Sequence, residues 1–580
     1  MIIVGINAYH ADSSAAIFVN GEMVAAIEEE RFERIKHWAG FPSKAIEFCL
    51  REAGVSYENV NYFAIGRDPK AKFLKKLLFL AKNPFGSFKV IKDRYANSRK
   101  VASIDQELAD LSGLSPTIFK NKIVQVEHHT SHIASAFFAS PFEEAACLSV
   151  DGSGDFTTTM TAVGRGNKIE ILNSVDFPHS VGIFYSAFTQ FLGFPHYGDE
   201  YKVMGMAPYG EPKYLSQLDD VIELTNDGLF RLNLKYFRSA IQGIISYGED
   251  HIPHVAPLYS DILVSKFGKV RSGDETLNQF HKDLAASVQR KTEQVLFHLL
   301  NHLQQKTGLQ NICIAGGVAQ NSVANGKITR NTGFTKVYIP SAGHDAGISM
   351  GAALYVQHQI INTPRMPSIK TAYTGSSFTN AEIKDLLNRK NIKYSEHIDP
   401  VLFDKMTTCL QNGGVIGWFT GRAEFGPRAL GGRSIIADPR RSDAKELLNS
   451  KIKRRESFRP FAPSILKEYV DEYFEVNDEV PFMEKVFPIK KDKQKEIPAV
   501  THVDGTGRLQ TVDKDVSPRY YALIDAFRIR TGVPILLNTS FNENEPIVNS
   551  PEEALNCFLR TNMDMLVMEN IVVEKGKEIN

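Results

Sequence analysis

The run Ile2-Ile3-Val4-Gly5-Ile6-Asn7-Ala8-Tyr9-His10-Ala11-Asp12-Ser13-Ser14-Ala15-Ala16-Ile17-Phe18-Val19-Asn20-Gly21 sets the fold. Residues 2 to 7 are apolar and read as a buried strand; a polar turn follows, then a second strand from Ala15 to Val19. Asn20-Gly21 is a two-residue hairpin signal, because both central residues of such a turn need positive φ. Met23 to Ile27 is then the third strand. The same order recurs farther on: Ala145 to Val150 runs into Asp151-Gly152-Ser153-Gly154-Asp155, followed by Thr157 to Val163, a turn at Gly164 to Asn167, and Ile169 to Val175. Two strand, loop and hairpin units in one chain predict an internal duplication.

Each unit opens on a small polar loop between its first two strands, and in this the pair resembles the phosphate loops of the actin and sugar-kinase superfamily of duplicated α/β domains. Pro42 to Ala53 has helical periodicity, Leu74 to Val101 is a basic segment read as a solvated helical insertion, and Leu277 to Gln305 predicts a long core helix. Asn311 to Ala315 is a short buried strand meeting Gly316-Gly317 and the polar start of a helix at Asn321. Such a turn can hold a nucleotide against backbone N–H groups, which makes Gly316, Gly317 and Asn321 candidates for nucleotide binding. Gln357 to Thr379 is polar, with Pro364 and Pro367, and places a domain boundary that separates 1–360 from 361–580. The second part begins with a helix at Asn380 to Lys390 and a strand at Val415 to Phe419, and Lys490 to Glu496 is a charge-dense solvent loop.

With 580 residues, 43% hydrophobic and 23% charged, the chain has the composition of a multidomain globular protein. Sixty-seven basic and 67 acidic residues cancel, so whole-chain charge gives no reason to expect nucleic-acid binding and any basic site must be local. Five dispersed cysteines, with no Cys-x-x-Cys pair, read as buried thiols in a reducing compartment. The apolar start lacks the basic region of a secretory signal, and no apolar window approaches the ~18 residues of a membrane span. A cytoplasmic protein without a membrane partner is expected.

Glu127-His128-His129-Thr130-Ser131-His132 leads into a helix, so His128 and His132, four apart, share a face and can converge on one metal ion. Asp151 and Asp345, both beside glycines at strand ends, complete a mixed N/O set suited to iron, manganese or zinc better than Mg²⁺. The competing reading is a cluster of hydrogen-bonded core histidines. His10, in the first loop with Asp12 nearby to fix its tautomer, is a candidate general base. Gly198 to Gly210 packs glycine, charge and proline densely and reads as a shaped active-site loop. In the C-terminal part, Gly421-Arg422-Ala423-Glu424-Phe425-Gly426-Pro427-Arg428-Ala429-Leu430-Gly431-Gly432-Arg433 and Lys453 to Pro460 concentrate cations among glycines. Guanidinium forks match phosphate oxygens, so this cluster predicts a small polyanion such as ATP, pyrophosphate or an acyl phosphate. The strand Val533 to Leu537 empties into Asn538-Thr539-Ser540-Phe541-Asn542, whose amides and hydroxyls can orient a planar group such as carbamoyl.

Taken together these strings resemble the O-carbamoyltransferase family that includes the nodulation-factor, cephamycin and tobramycin carbamoyltransferases. The resemblance runs over nearly the whole chain and is carried by His10 with Asp12-Ser13-Ser14, His128 to His132, Tyr201-Lys202-Val203-Met204-Gly205, Gly426 to Gly431, Lys453 to Pro463, His502 to Arg508, and Leu537 to Asn542 with Glu545 to Val548. It implies an α/β enzyme with two parts. The N-terminal domain would be duplicated and actin or sugar-kinase-like, similar to the tRNA threonylcarbamoyl-transfer fold, with a divalent metal on His128, His132, Asp151 and Asp345. The C-terminal domain would be YrdC-like and form carbamoyl-adenylate from carbamoyl phosphate and ATP, with Mg²⁺. Lys453, Arg459, Arg508, Asn538 and Ser540 would bind carbamoyl phosphate and the adenylate, and Arg428 and Arg433 would contact phosphate.

His10 would then deprotonate a hydroxyl of a small-molecule acceptor, a sugar or a secondary metabolite. For the metal the resemblance implies iron first, then manganese or zinc. Oligomeric state is left open, a homodimer included. The chain departs from the pattern at Ala11, where many members place the acid directly after the histidine, and this weakens the role of Asp12. A tRNA-modifying enzyme, a sugar kinase or ATPase, and a non-catalytic nucleotide-binding regulator are the rival readings; zero net charge argues against the first, and the second leaves the arginine cluster unexplained.

Overall fold

A computed structural model describes residues 1–82, 101, 103–248, 250–453 and 455–577. The chain divides into two compact units, Met1–Ile369 and Lys370–Asn580.

The first unit holds two five-stranded sheets of the same design. In one, β1 (Ile2–Asn7) lies at the centre, with β2 (Ser14–Val19) and β3 (Glu22–Glu28) antiparallel on one side and β4 (Tyr62–Ile65) and β5 (Ile123–Gln125) parallel on the other, in the order β3-β2-β1-β4-β5. In the other, β6 (Glu144–Gly154) takes the place of β1, with β7 (Thr157–Arg165) and β8 (Lys168–Asp176) antiparallel beside it. After two small ribbons, β9 (Ile222–Leu224) with β10 (Phe230–Leu232) and β11 (Ile245–Tyr247) with β12 (Pro253–Val255), the parallel strands β13 (Asn311–Ala315) and β14 (Lys336–Tyr338) complete the order β14-β13-β6-β7-β8. The hairpin turn is the one the sequence calls for: Asn20 and Gly21 both have positive φ, 51° and 96°.

Between the sheets runs the helix Gly347–Tyr355, and two close approaches fix it. A Cβ on Gly5 of β1 would lie 1.8 Å from Ser349 O, and a Cβ on Gly351 would lie 1.8 Å from Ser131 O of the helix His128–Phe137. Only glycine at these positions lets strand, helix and His-bearing helix pack backbone to backbone. The long helix Gln279–Thr307 covers the second half, opened by an Asn278 cap that accepts from His281 N. Among the described residues no helix is long and apolar enough to cross a membrane. The basic insertion expected over 74–101 begins as the helix Phe73–Lys82, and residues 83–100 lie outside the described residues.

The second unit is built on one nine-stranded sheet. Its strands are β15 (Ser395–Glu396), β16 (Ile416–Phe419), β17 (Arg433–Ala437), β18 (Ala462–Leu466), β19 (Lys485–Pro488), β20 (Thr506–Val512), β21 (Ile535–Ser540), β22 (Met565–Met568) and β23 (Ile571–Glu574), in the order β15-β23-β22-β16-β17-β21-β18-β20-β19. Its strands and the helices Asp399–Gln411, Pro518–Thr531 and Pro551–Arg560 supply a core centred on Trp418, Tyr520, Phe527 and Phe558, all essentially inaccessible to solvent. The stretch 563–574, which the sequence left free to pack on the N-terminal domain, instead pairs with β16 and β15 in this sheet.

Candidate active sites

In the N-terminal unit, Glu127 caps the His128–Phe137 helix by accepting from Thr130 N at 2.7 Å, and this starts the helix at His128. His128 and His132 then sit one turn apart, ring centroids 4.8 Å apart. Asp151 arrives from the end of β6 and Asp345 from the turn before Gly347–Tyr355. His128 Nε2 lies 3.2 Å from Asp151 Oδ2 and 3.8 Å from Asp345 Oδ1; His132 Nε2 lies 3.3 Å from both. All four residues are buried and their donor atoms fall within 4.8 Å of one another.

These edges test whether a metal fits. With metal–ligand bonds of about 2.1 Å, neighbouring donors stand roughly 3.0 Å apart around an octahedral ion and roughly 3.4 Å around a tetrahedral one. Three of these four edges, 3.2 to 3.3 Å, match that spacing, the fourth is 3.8 Å, and the set offers the mixed imidazole and carboxylate donors of a transition-metal site. Its electrostatics agree. Burial alone would lower the pKa of His132, yet the hydrogen bonds and charges of Asp151 and Asp345 push it up to about 9, and Asp151 is held well below the usual carboxylate range despite burial. Two buried carboxylates favour a cation between them.

His129 faces away: its Nδ1 meets Ser149 Oγ at 2.8 Å. Gly316 and Gly317 do not present free N–H groups to a nucleotide, as the sequence suggested. Gly316 N donates to Gly343 O at 2.7 Å and Gly317 N to Asp151 Oδ1 at 3.2 Å, so this turn positions a cage carboxylate. Asn321 is likewise committed, its amide paired in both directions with Gln289 and its Oδ1 capping the short helix that follows. The Gly198–Gly210 stretch is not a loop. It forms the helix Glu200–Met206 and a tight turn, because Val203, Met204, Met206 and Ala207 have a buried face to fill and Lys202 pairs with Asp199.

His10 lies against the cage, with Nδ1 2.7 Å from Asp345 Oδ2 and its ring 5.1 Å from that of His128. Asp345, rather than Asp12, is therefore the carboxylate beside its Nδ1. The loop explains why: Asn7 Nδ2 donates to the carbonyls of Ala11, Asp12 and Asp345, and positive φ at Tyr9 and Asp12 turns the Asp12 side chain to His37 instead, Oδ1 to Nδ1 2.7 Å. His37 carried no signal in the sequence.

Burial would lower the pKa of His37, but the Asp12 charge and hydrogen bond outweigh it and push it up to about 9, while the same partnership holds Asp12 at about 2. The stabilisation from this pair is therefore complete between roughly pH 4 and 6.5, the unfolded values, and is lost as pH rises toward 9 or falls toward 2. In Asp12→Asn, the His37 imidazole resonance should titrate at least a unit below its wild-type midpoint, and the fall in melting temperature between pH 6.5 and 9 should be smaller than in the wild type. An unchanged His37 titration would refute the pairing.

In the C-terminal unit the central strands converge on a second site. Asn538 of β21 is buried; its Nδ2 donates to Ala429 O at 3.1 Å, Ser464 Oγ at 3.1 Å and Gln510 Oε1 at 3.0 Å, and its Oδ1 is buried without a partner. A flipped amide would set Oδ1 against the Ala429 carbonyl, so the orientation is fixed. Lys453 Nζ donates to the carbonyls of Ser540 and Asn542 and to Asn542 Oδ1. Ser540 Oγ donates to Asn542 Oδ1 at 2.8 Å.

Arg428, Arg455, Arg459 and Arg508 stand close enough that burial and then the other three guanidiniums drive the pKa of Arg508 well below its ordinary value. Glu424 shapes the loop among them, its Oε1 accepting from Leu430, Gly432 and Arg433 backbone N–H groups. Arg433, expected to contact phosphate, is instead fully buried: it donates to the carbonyls of Thr420, Gly421, Gly432 and Ser376 and stacks 3.7 Å over Phe419. Its place inside β17 takes it out of the pocket. The sequence pointed to the strand end that carries Asn542 but gave no signal for Gln510 and Ser464, which come to Asn538 from neighbouring strands.

An α/β chain carrying a His/Asp cage in one unit and a guanidinium-rich pocket in the other has the equipment of a group transferase. Family models describe which group: the carbamoyltransferase N-terminus matches residues 2–354 and the carbamoyltransferase C-terminus residues 407–575, and the chain belongs to this family and is a carbamoyltransferase. Among its relatives, the Synechocystis uncharacterized protein sll1178 is 43% identical over 99% of this chain and 96% of its own. The nodulation protein NolNO of Sinorhizobium fredii is 36% identical over 98% of this chain and 80% of its own. A crystal structure of HypF from T. kodakarensis aligns with 61% of this chain and 47% of its own at a TM-score of 0.28 and 14% identity.

Proposed function

We propose that the protein is an ATP-dependent O-carbamoyltransferase working in two steps. Its C-terminal unit, read as YrdC-like, forms carbamoyl-adenylate, and its N-terminal unit passes the carbamoyl group to a hydroxyl of a small-molecule acceptor, a sugar or a secondary metabolite. Atoms balance only with water: carbamoyl phosphate and water give carbamate and phosphate, and carbamate then displaces pyrophosphate at the α-phosphorus of ATP.

The observation that carries the reading is the four-arginine cluster around Arg508. Burial and the neighbouring guanidiniums lower the pKa of Arg508, a bound polyanion would offset that repulsion, and both carbamoyl phosphate and ATP are polyanions. The unpartnered Oδ1 of Asn538 supplies the complementary feature, an acceptor matched to the NH₂ of a carbamoyl group. In the other unit, His128, His132, Asp151 and Asp345 would hold a divalent ion, with iron, manganese or zinc suited to the donor set. Such an ion polarises a carbonyl or phosphoryl oxygen. Asp345 Oδ2 stands 2.7 Å from His10 Nδ1, and on this reading Nε2 accepts the proton of the acceptor hydroxyl.

The test needs no acceptor. Purified protein given ATP, Mg²⁺ and carbamoyl phosphate should release pyrophosphate and phosphate in equal amounts, and neither when carbamoyl phosphate is withheld. Conversion of ATP to ADP instead would establish the kinase reading.

A further inference from the structure

The adenylate-forming reaction consumes water, and none of the residues assigned to the C-terminal pocket is a base: four are arginines, Asn538 is neutral, and Lys453 Nζ spends its donors on Ser540 and Asn542. His502, half-buried, is a titratable group of this unit with no role yet assigned, and its Nε2 is inaccessible to solvent. It sits in the turn that leads into β20, held by His502 N to Thr506 O at 2.7 Å and Gly505 N to His502 O at 3.0 Å, and Thr506 and Arg508 lie two apart on that strand, on one face of the sheet.

Its tautomer follows from its partners. Thr506 Oγ1 donates its only hydrogen to Asp504 Oδ1 at 2.7 Å, since a carboxylate can only accept. Toward His502 Nδ1, 3.0 Å away, the same oxygen can therefore only accept, and the proton sits on Nδ1. Nε2 is left as a lone pair, and it is buried with no partner within the protein. Asp504, Thr506 and His502 thus form a relay that ends in an unprotonated nitrogen beside the arginine pocket, the arrangement of an imidazole base held by a carboxylate.

We infer that His502 Nε2 is the base that takes a proton from the water attacking carbamoyl phosphate, an inference that rests on the adenylate-forming reading above. The water oxygen bonds to the carbonyl carbon, the C–O bond to the phosphate breaks, inorganic phosphate leaves, and the proton passes to Nε2. The carbamate so formed is the nucleophile for ATP. The charged groups facing His502 fit this role. Burial lowers its pKa most; Asp504 of the same turn raises it, and Arg508 of β20 and Lys445 of the helix Ala444–Leu448 lower it, leaving it near 4. It enters the reaction neutral. Phosphate oxygens arriving on the arginines offset the cations that depress it, so the base strengthens when its substrate is bound.

His502→Asn tests this, because the asparagine amide can still donate to Thr506 while Nε2 is removed. Two substrates are compared in the full-length protein with ATP: carbamoyl phosphate, and ammonium carbamate, which bypasses the water step. With carbamoyl phosphate, phosphate and pyrophosphate release should fall about a hundredfold, the ordinary contribution of a general base. With carbamate, pyrophosphate release should match the wild type, which also shows the variant is folded. Thr506→Val, which cuts the relay and keeps the imidazole, should show a smaller loss confined to carbamoyl phosphate. Equal losses with both substrates in the two variants would make His502 structural, and no loss with either would remove it from the reaction; both overturn the inference. Wild-type protein that releases pyrophosphate with neither substrate overturns the parent reading instead.

Discussion

His132→Ala protein should carry no bound divalent metal after reconstitution with Fe²⁺, Mn²⁺ or Zn²⁺ and gel filtration, where the wild type carries about one ion per chain. His132 Nε2 is 3.3 Å from both cage carboxylates, so its removal takes away one of four donors and leaves Asp151 and Asp345 facing each other in a buried site with less to offset them. Carbamoyl transfer to any accepted hydroxyl should fall on the order of 10³-fold, the several kcal/mol a Lewis acid contributes at a polarised oxygen. Acceptor-free pyrophosphate release should be unchanged, because that chemistry is assigned to the other unit. His129→Gln is the control on the same helix: its Nδ1 is engaged with Ser149, and metal should be retained. Equal metal content in wild type and His132→Ala, measured by elemental analysis, would return the cluster to the reading of hydrogen-bonded core histidines.

Much of this was open to the sequence because it followed from local rules. The Asn20-Gly21 turn, the alternation of strand and hairpin, and the i, i+4 spacing of His128 and His132 each depend on a few neighbouring residues, and the structure has strands over Ile2–Asn7, Ser14–Val19 and Glu22–Glu28 and a helix over His128–Phe137. What was misjudged depended on which way a side chain turns inside a fold. Asp12 is two residues from His10, yet positive φ at Asp12 sends its carboxylate to His37, while Asp345, remote in sequence, comes to His10 through the packing of the Gly347–Tyr355 helix on β1. Arg433 is one of three arginines in the same glycine-rich string, and nothing local marks it as the one that enters a strand. Glycine density at 198–210 suggested a loop, but the buried apolar residues Val203, Met204 and Met206 outweighed the helix cost of the single internal glycine, Gly205.

Arg508→Met should lower carbamoyl-phosphate-dependent pyrophosphate release by about 10² to 10³ while leaving the ligand-free protein at least as resistant to heat as the wild type. The two halves of that expectation have one cause. Burial and then Arg428, Arg459 and Arg455 push the pKa of Arg508 down, so Arg508→Met removes that repulsion from the ligand-free protein. Binding a phosphate reverses the sign, and loss of one such charge from a desolvated anion site lowers kcat/KM by about 10² to 10³. Arg433 supplies the contrast within the same domain. Its guanidinium satisfies four backbone carbonyls and lies over Phe419, so Arg433→Met strands buried acceptors and should unfold the domain at markedly lower temperature. A binding arginine and a structural one are thus separated by the direction in which stability moves: if Arg508→Met melts early, as Arg433→Met does, and keeps its pyrophosphate release, the cluster is scaffolding and the anion site lies elsewhere.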